Sequence, residues 1–362
     1  MAGSLHIISI NQDSGIDVGR KKGAAVHLRA MRDAFGQLGA TVTAIDEDEP
    51  GRLQARLRRE AGRQPPDLLY ERYALGRSAA AAFAREHGIP YALEVNAPLA
   101  EEQERWRGQP EADRDRSEDA VTFAAAGFVA AVSSQVAAYS ISRGARSDAV
   151  FVCPNGIDTR RFRPGVRSQQ PPGTGLPDNA FVLGFHGRER PWHGFGLLVE
   201  ATRALLHRKL PAHLLVIGNG EFSALSGLPE ANYTRLPWVG HDQIPALIGR
   251  FDALPLTYPP DVPCYFSPLK LAEAMACGAV PVVPDLGDLA RTVAHERTGL
   301  VYPAGDPDAL VSAVESLIED PSLKAGLAAA AAQAALEWGW DRIALGILDH
   351  FGLSLLRRAG NA

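Results

Sequence analysis

A chain of 362 residues exceeds the roughly 250 to 300 at which a single core stops growing, so two domains are expected. With 46% hydrophobic and 22% charged residues, extended disorder is excluded, and a net charge of −5 from 37 basic and 42 acidic residues spread along the chain leaves no basic surface for nucleic acid. The N-terminal MAGSLHIISI lacks the basic region and longer apolar core of a secretory signal, and no run of about 18 apolar residues could span a bilayer; a cytoplasmic location is expected.

Short apolar, β-branched runs recur between helical patterns. In the first half they are LHIISI, TVTAID, DLLYE, PYALEV, GFVAAV and AVFVCP; in the second, AFVLGFHG, HLLVIG, YTRLPWVG, DALPLTY, AVPVVP and GLVY. This alternation predicts βαβ units and parallel sheets, an α/β protein of two Rossmann-like, doubly wound domains. The stretch GVRSQQPPGTGLPDN, residues 165–179, is the richest in Pro, Gly and polar residues and is read as the linker, giving an N-terminal domain at 1–164 and a C-terminal domain at 180–338. Ala-rich segments at 78–84 and 326–335 read as helices. The tail breaks near Gly339, and its last helix, within 339–362, is expected to pack on the N-terminal domain. Cys153, Cys264 and Cys277 have neither a C-x-x-C partner nor a His at zinc spacing, so they read as small buried hydrophobes.

Doubly wound sheets bind ligands at the carboxyl ends of their strands, and two facing sheets would place a ligand cleft between domains. Four loops stand out there. DSGIDVGRKKGAAVHLRAM carries Gly15, Gly19 and Gly23 with Arg20, Lys21 and Lys22 before a helix near Ala24: an anion site or a solvated basic loop, and not a G-x-G-x-x-G fingerprint. GFHGRERPWHG places Arg188 and Arg190 before a helix near Gly194, with His193 either a donor there or a packing residue beside Trp192. In VIGNGEF, Gly218 and Gly220 read as a tight turn. CYFSPLKLAEAMACGAVPVV starts a helix at Ser267 and Pro268 in which only Lys270 and Glu273 are charged. Glu273 either reaches water or has a partner, and its carboxylate can accept two hydrogen bonds from a vicinal diol such as a ribose. In the first half, YERYALG offers Glu71, Arg72 and Tyr73, and LEVNAPLAEE offers Glu94, Asn96, Glu101 and Glu102. These are either capping turns or the wall of an acceptor pocket.

Together these stretches resemble the family 4 retaining glycosyltransferases of the GT-B fold. FSPLKLAEAMACGAVPVV followed by GLVYPAGDPDALVSAV looks like that family's donor-site helix and closing region, VCPNGIDTRRFRP like its pre-linker signature, GRERPWHG like its phosphate loop and KKGAAVHLRAM like its first Gly loop. The resemblance implies transfer of a hexose-type sugar, from a UDP sugar first of all, to a hydroxylated acceptor with retention of configuration and without an obligatory metal or other cofactor. It implies catalytic roles for Arg188, Glu273 and Asn96, and a donor site of Gly23, Arg188, His193, Tyr265, Ser267, Pro268, Leu269, Lys270 and Glu273. Glu71, Arg72, Tyr73, Asn96 and Glu102 fall on the acceptor side. Tyr265 stands where the family has a second glutamate, His193 where it has a phosphate-binding lysine, and Asn96 where it has a histidine. Lys270 is expected to supply the missing positive charge.

Small metabolites and glycan or lipid-linked acceptors all stay open; the tail helices lack a strongly basic amphipathic face, which disfavours a membrane-surface acceptor. A catalytically inactive relative that senses a nucleotide sugar is the alternative, and a dinucleotide oxidoreductase has only GNG in its favour. Domain closure about 165–179 is expected of an enzyme that must exchange ligands.

Overall fold

A computed structural model describes residues 4–16, 23–165, 175–240, 242–265 and 267–353. Gly19, Arg20, Lys21 and Lys22 of the first loop, residues 166–174 of the expected linker and residues 354–362 of the tail lie outside the described residues. The chain divides into two compact units. The first runs to Gly156 and takes in Tyr265–Ser267 and the segment from Trp340; the second holds Ile157–Cys264 and Pro268–Gly339. The changeover at Gly156 lies upstream of the Pro/Gly-rich stretch, because Ile157 is already tied into the second unit by its N–H, which donates to the Trp338 carbonyl at 2.8 Å.

In chain order the first unit contains β1 (His6–Asn11), α1 (Gly23–Gln37), β2 (Thr41–Asp46), α2 (Pro50–Arg63), β3 (Leu68–Arg72), α3 (Ala79–His87), β4 (Tyr91–Val95), α4 (Leu99–Arg107), α5 (Asp113–Ala125), β5 (Phe128–Ala131), α6 (Ser134–Ser142) and β6 (Val150–Val152). The strands form a six-stranded parallel sheet in the order β2-β1-β3-β4-β5-β6. All six residues of β1 are buried, as a strand covered on both faces requires. Helix α2 begins where Glu49 accepts from the N–H groups of Gly51 and Arg52, and it buries Leu53 and Leu57. The Ala run of α3 lays small side chains against the sheet, and the helix stops at Gly88, whose φ of 64° a residue with a Cβ would resist.

The second unit contains β7 (Phe181–His186), α7 (Phe195–His207), β8 (Ala212–Ile217), β9 (Tyr233–Leu236), α8 (Ile244–Ile248), β10 (Ala253–Pro255), α9 (Leu269–Ala276), β11 (Val280–Pro284), α10 (Leu289–Thr292), β12 (Leu300–Tyr302), α11 (Pro307–Glu319) and α12 (Pro321–Ala335). Its parallel sheet is ordered β12-β11-β10-β7-β8-β9. β9 and β10 are shorter than the apolar runs YTRLPWVG and DALPLTY suggest: proline closes β10 at Pro255, where no N–H is left for a ladder. The final helix α13 (Trp340–His350) belongs to the first unit, where Ala344, Ile347 and Leu348 join a buried cluster with Met31, Ala34 and Phe35 of α1. Gly156 makes room for it, since a Cβ there would come within 2.5 Å of the Trp340 ring.

In each sheet the strand order reverses once, between β1 and β3 and between β7 and β10. Such switch points splay the flanking loops apart at the carboxyl ends of the strands and open a crevice. Among the described residues no helix is long and apolar enough to cross a membrane.

Candidate functional site

In the second unit, polar side chains converge at the β7/β10 switch point. β7 ends at His186, and the chain turns through Gly187 and the exposed Arg188 into a short 3-10 turn at Pro191–His193. Gly194 then opens α7 with a φ of 59°, and a Cβ on it would lie 1.8 Å from the Thr257 carbonyl oxygen, so the close approach of this loop to the one after β10 demands glycine. The Thr257 hydroxyl completes the clasp by donating to the His193 carbonyl at 2.8 Å. The GNG turn has a similar explanation: Gly218 has a φ of 141°, and a Cβ there would fall 2.0 Å from the Gly187 carbonyl oxygen.

Helix α9 approaches the same loop. Pro268 caps it and Leu269 starts it. Lys270, in its first turn, puts Nζ 3.2 Å from His193 Nε2 and 4.8 Å above the Phe185 ring. Burial pulls the Lys270 ammonium down to about 7, with Glu273 opposing the shift. Burial also pulls His193 down to about 3, and the neighbouring Lys270 and Arg190 charges push the same way. At neutral pH His193 is therefore an uncharged acceptor for the Lys270 ammonium, and the positive charge at this point belongs to lysine. Arg190 is drawn off over the Trp192 ring at 5.6 Å. The guanidinium of Arg188 has no hydrogen bond or ion pair among the described residues.

Glu273 lies three residues beyond Lys270, on the same face of α9. Its Oε2 is 3.7 Å from Nε2 of His186, and both side chains are largely buried, 14% and 8% exposed. The lone acid of this apolar helix thus has a partner at the end of β7. Pro268 has no N–H to offer a ligand, and Ser267 is engaged: its hydroxyl accepts from the Asn155 N–H at 3.0 Å and its carbonyl from the Asn155 amide at 3.0 Å. The first N–H groups of α9 that its own turn leaves over are those of Leu269 and Lys270.

In the first unit a second polar group gathers at the ends of β3 and β4. Glu94, 4% exposed, accepts from Arg72 at 2.6 Å and from the Tyr70 hydroxyl and Asn96 amide, with His27 Nδ1 at 2.9 Å. Burial lowers Arg72 to about 10, and Asp13 opposes that shift. Glu71, completely buried, accepts from Tyr91 and from Gln12 Nε2, each at 2.5 Å; burial raises it to about 7 against the pull of those two donors. The Tyr73 hydroxyl donates to Asp119 at 2.5 Å and lies 2.9 Å from that of Tyr139. Glu71 and Tyr73 are thus interior residues, which corrects the reading of YERYALG as a pocket wall at those two positions. Tyr265 donates to Glu102 at 2.5 Å, so a phenol tied to an acid occupies the place where a second glutamate was expected.

The family models match both halves: one described as glycosyl transferases group 1 covers residues 180–320, and one described as Glycosyltransferase Family 4 covers 49–161. A D-inositol 3-phosphate glycosyltransferase of Stackebrandtia nassauensis is 31% identical over 332 residues, spanning 84% of this chain and 72% of that protein. The chain belongs to glycosyltransferase family 4. A second relative of the same description, from Pseudarthrobacter chlorophenolicus, is 28% identical over 89% of the chain and 80% of its own length. Among solved structures, Anabaena HepE in complex with UDP has a TM-score of 0.68 at 21% identity, covering 96% of this chain and all of that one. A glycosyltransferase from Rickettsia africae has a TM-score of 0.74 at 13% identity, with 99% and 100% covered. Both share the GT-B fold with this chain.

In the second unit Lys270 meets His193 and Glu273 meets His186; in the first, Arg72 and Asn96 meet at Glu94 and Tyr265 meets Glu102. Gly23 is the first residue of α1. Sequence reading missed His186, Gln12 and Asp119. For His186 a signal existed, since it closes an apolar strand at a switch-point position; Gln12 and Asp119 carry no pattern that separates them from other polar residues.

Proposed function

We propose that this family 4 glycosyltransferase moves a sugar from a nucleoside diphosphate sugar, a UDP sugar, to a hydroxylated acceptor, with retention of anomeric configuration and without an obligatory metal. The observation that carries the reading is the set of groups around the β7/β10 switch point: an unpaired guanidinium at Arg188, a half-buried lysine at Lys270, the start of α9 and a carboxylate at Glu273. Arg188 and Lys270 hold the diphosphate, assisted by the N–H groups of Leu269 and Lys270, so that charge developing on the departing nucleotide meets fixed cations and a helix terminus. Glu273 accepts hydrogen bonds from the two ribose hydroxyls, and His186 beside it fixes the carboxylate. His193, neutral, orients Lys270. Asn96, with its amide nitrogen turned to Glu94, keeps its amide oxygen for a substrate hydroxyl.

UDP is favoured because HepE, of the same fold, has been solved with UDP and with UDP-glucose. The relatives are named as enzymes, which disfavours the sensor reading. The test is nucleotide release from a panel of UDP, GDP, ADP and TDP sugars with candidate acceptors. UDP released from one donor in an acceptor-dependent way supports the reading. No release from any donor under conditions where UDP binds would make the protein a binder only.

A further inference from the structure

The second unit has a cavity that the donor site does not use. It spans about 340 Å³ at the amino ends of β10 and β11, the opposite end of the sheet from the loops that carry Arg188 and lead into α9. That volume lies within the roughly 300 to 1,000 Å³ of small-molecule sites. Its walls are small or apolar: Gly249 and Phe251 before β10, Cys277 and Gly278 after α9, and Ala328 and Ala332 on α12. A Cβ added to Gly278 would meet nothing within 4 Å, which marks the open space beside the end of α9.

One charged pair, Asp252 with Lys324, lines the cavity among the described residues. Asp252 is buried and has both oxygens engaged: one accepts from the Val182 N–H at 2.8 Å, the other from Lys324 Nζ at 2.8 Å. The Lys324 side chain is less confined, 30% exposed, with Nζ 5.6 Å from the centre of the Phe181 ring. An ammonium has three N–H donors, and Asp252 takes one. Because Asp252 already balances the charge of Lys324, a ligand carboxylate would crowd a second anion against Asp252, and a ligand ammonium would face Lys324. An apolar ring with one uncharged acceptor, a carbonyl oxygen, matches both the walls and the pair.

Two of the walls reach the donor site. The Cys277 N–H donates to the Glu273 carbonyl at 3.1 Å. The Phe251 ring packs so closely on Gly184 that a Cβ there would fall 2.1 Å from it, and its centre lies 6.3 Å from that of His186, the partner of Glu273.

We propose that this cavity is a regulatory site for a small uncharged aromatic carbonyl compound, its ring against Phe251 and α12 and its oxygen on Lys324. The occupant backs Phe251 and the end of α9, both of which border open space, and so holds His186 and Glu273 in place for the ribose. That coupling rests on the reading of Glu273 as the ribose acceptor; the binding does not.

The test is titration of the whole chain, followed by ligand-detected NMR, with acetophenone, its hydrocarbon isostere α-methylstyrene, benzoate and benzylamine. Acetophenone binds with a Kd of about 1 mM or tighter, in keeping with its size, and the other three bind roughly tenfold more weakly. Ala328→Leu, which fills the cavity from α12, abolishes binding, and Lys324→Met brings acetophenone down to the level of α-methylstyrene, while both variants still bind UDP, the check on folding. Saturation with acetophenone tightens UDP binding about fivefold in the wild type and leaves it unchanged in Ala328→Leu. No acetophenone binding where UDP binds, equal affinity for ketone and hydrocarbon, full acetophenone affinity in Ala328→Leu, or a UDP affinity indifferent to acetophenone would each overturn the proposal. Selective acetophenone binding by a chain that binds no UDP would leave the cavity standing and remove the ribose reading.

Discussion

The donor reading makes affinity for a UDP sugar depend on the charge of one lysine. In the free protein Lys270 titrates at about 7. Its ammonium fraction therefore falls from about 0.9 at pH 6 to about 0.1 at pH 8, and if only the charged form holds the diphosphate, affinity falls roughly tenfold over that range. The sign is fixed by the linkage: a diphosphate beside Nζ favours the charged form, so binding takes up a proton and weakens as pH rises through about 7. Stability runs the other way, because the unfolded chain binds the lysine proton up to the ordinary 10.5 while the native chain does not, so the native state gains stability from about 7 upward. His193, at about 3, is silent in this range. His186, beside Glu273, is the neighbouring group to control for. The assay is titration with an intact UDP sugar, whose diphosphate is a diester and does not titrate near neutrality. Lys270→Met loses about 1.5–3 kcal/mol of charge-assisted contact at pH 6, roughly tenfold to a hundredfold in affinity, and has a flat profile. A flat wild-type profile, or a Lys270→Met profile that matches a sloping wild type, would refute the reasoning, and a His186→Asn variant that abolished the slope would assign it elsewhere.

Glu273→Ala is expected to weaken UDP binding roughly tenfold to a hundredfold by removing the acceptor for two ribose hydroxyls, and 2′,3′-dideoxy-UDP should bind wild type and variant equally; a variant that still prefers UDP would show that the ribose is held elsewhere. Glu71 is raised from its ordinary 4.5 to about 7, so the native state holds its proton more tightly and stability falls as pH rises from about 4.5 through 7, by up to about 3 kcal/mol. Glu71→Gln should therefore raise Tm by a few degrees at pH 8 and flatten the dependence; a lower Tm at pH 8 counts against the argument. Chelation with EDTA should leave transfer within twofold, whereas a tenfold loss restored by magnesium would contradict the metal-free reading.

The sheets were legible because strands buried on both faces leave long apolar runs such as HIISI and HLLVI, which only a covered parallel sheet needs. The start of α9 was legible from Ser-Pro and the apolar run behind it, and Glu273 stood out as an acid in that run. Its partner was not, because His186 lies far from it in sequence and only the β7/β10 adjacency joins them. The buried state of Glu71 and Tyr73 was hidden for the opposite reason. Polar and aromatic residues after a strand look like a site wall, and nothing local announces Gln12, Tyr91 and Asp119 as the partners that let them go inside. The charge division between His193 and Lys270 needed the structure as well, since burial of both side chains and their contact at 3.2 Å cannot be read from sequence.

The central claim is tested most directly by the product itself. Purified chain incubated with UDP-glucose and a panel of hydroxylated acceptors should release UDP and give a glucoside whose anomeric proton has the small coupling constant of an α-linkage, the configuration of the donor. A β-linked product, or a full inventory of donors and acceptors with no glycoside formed by protein that binds UDP, would contradict it.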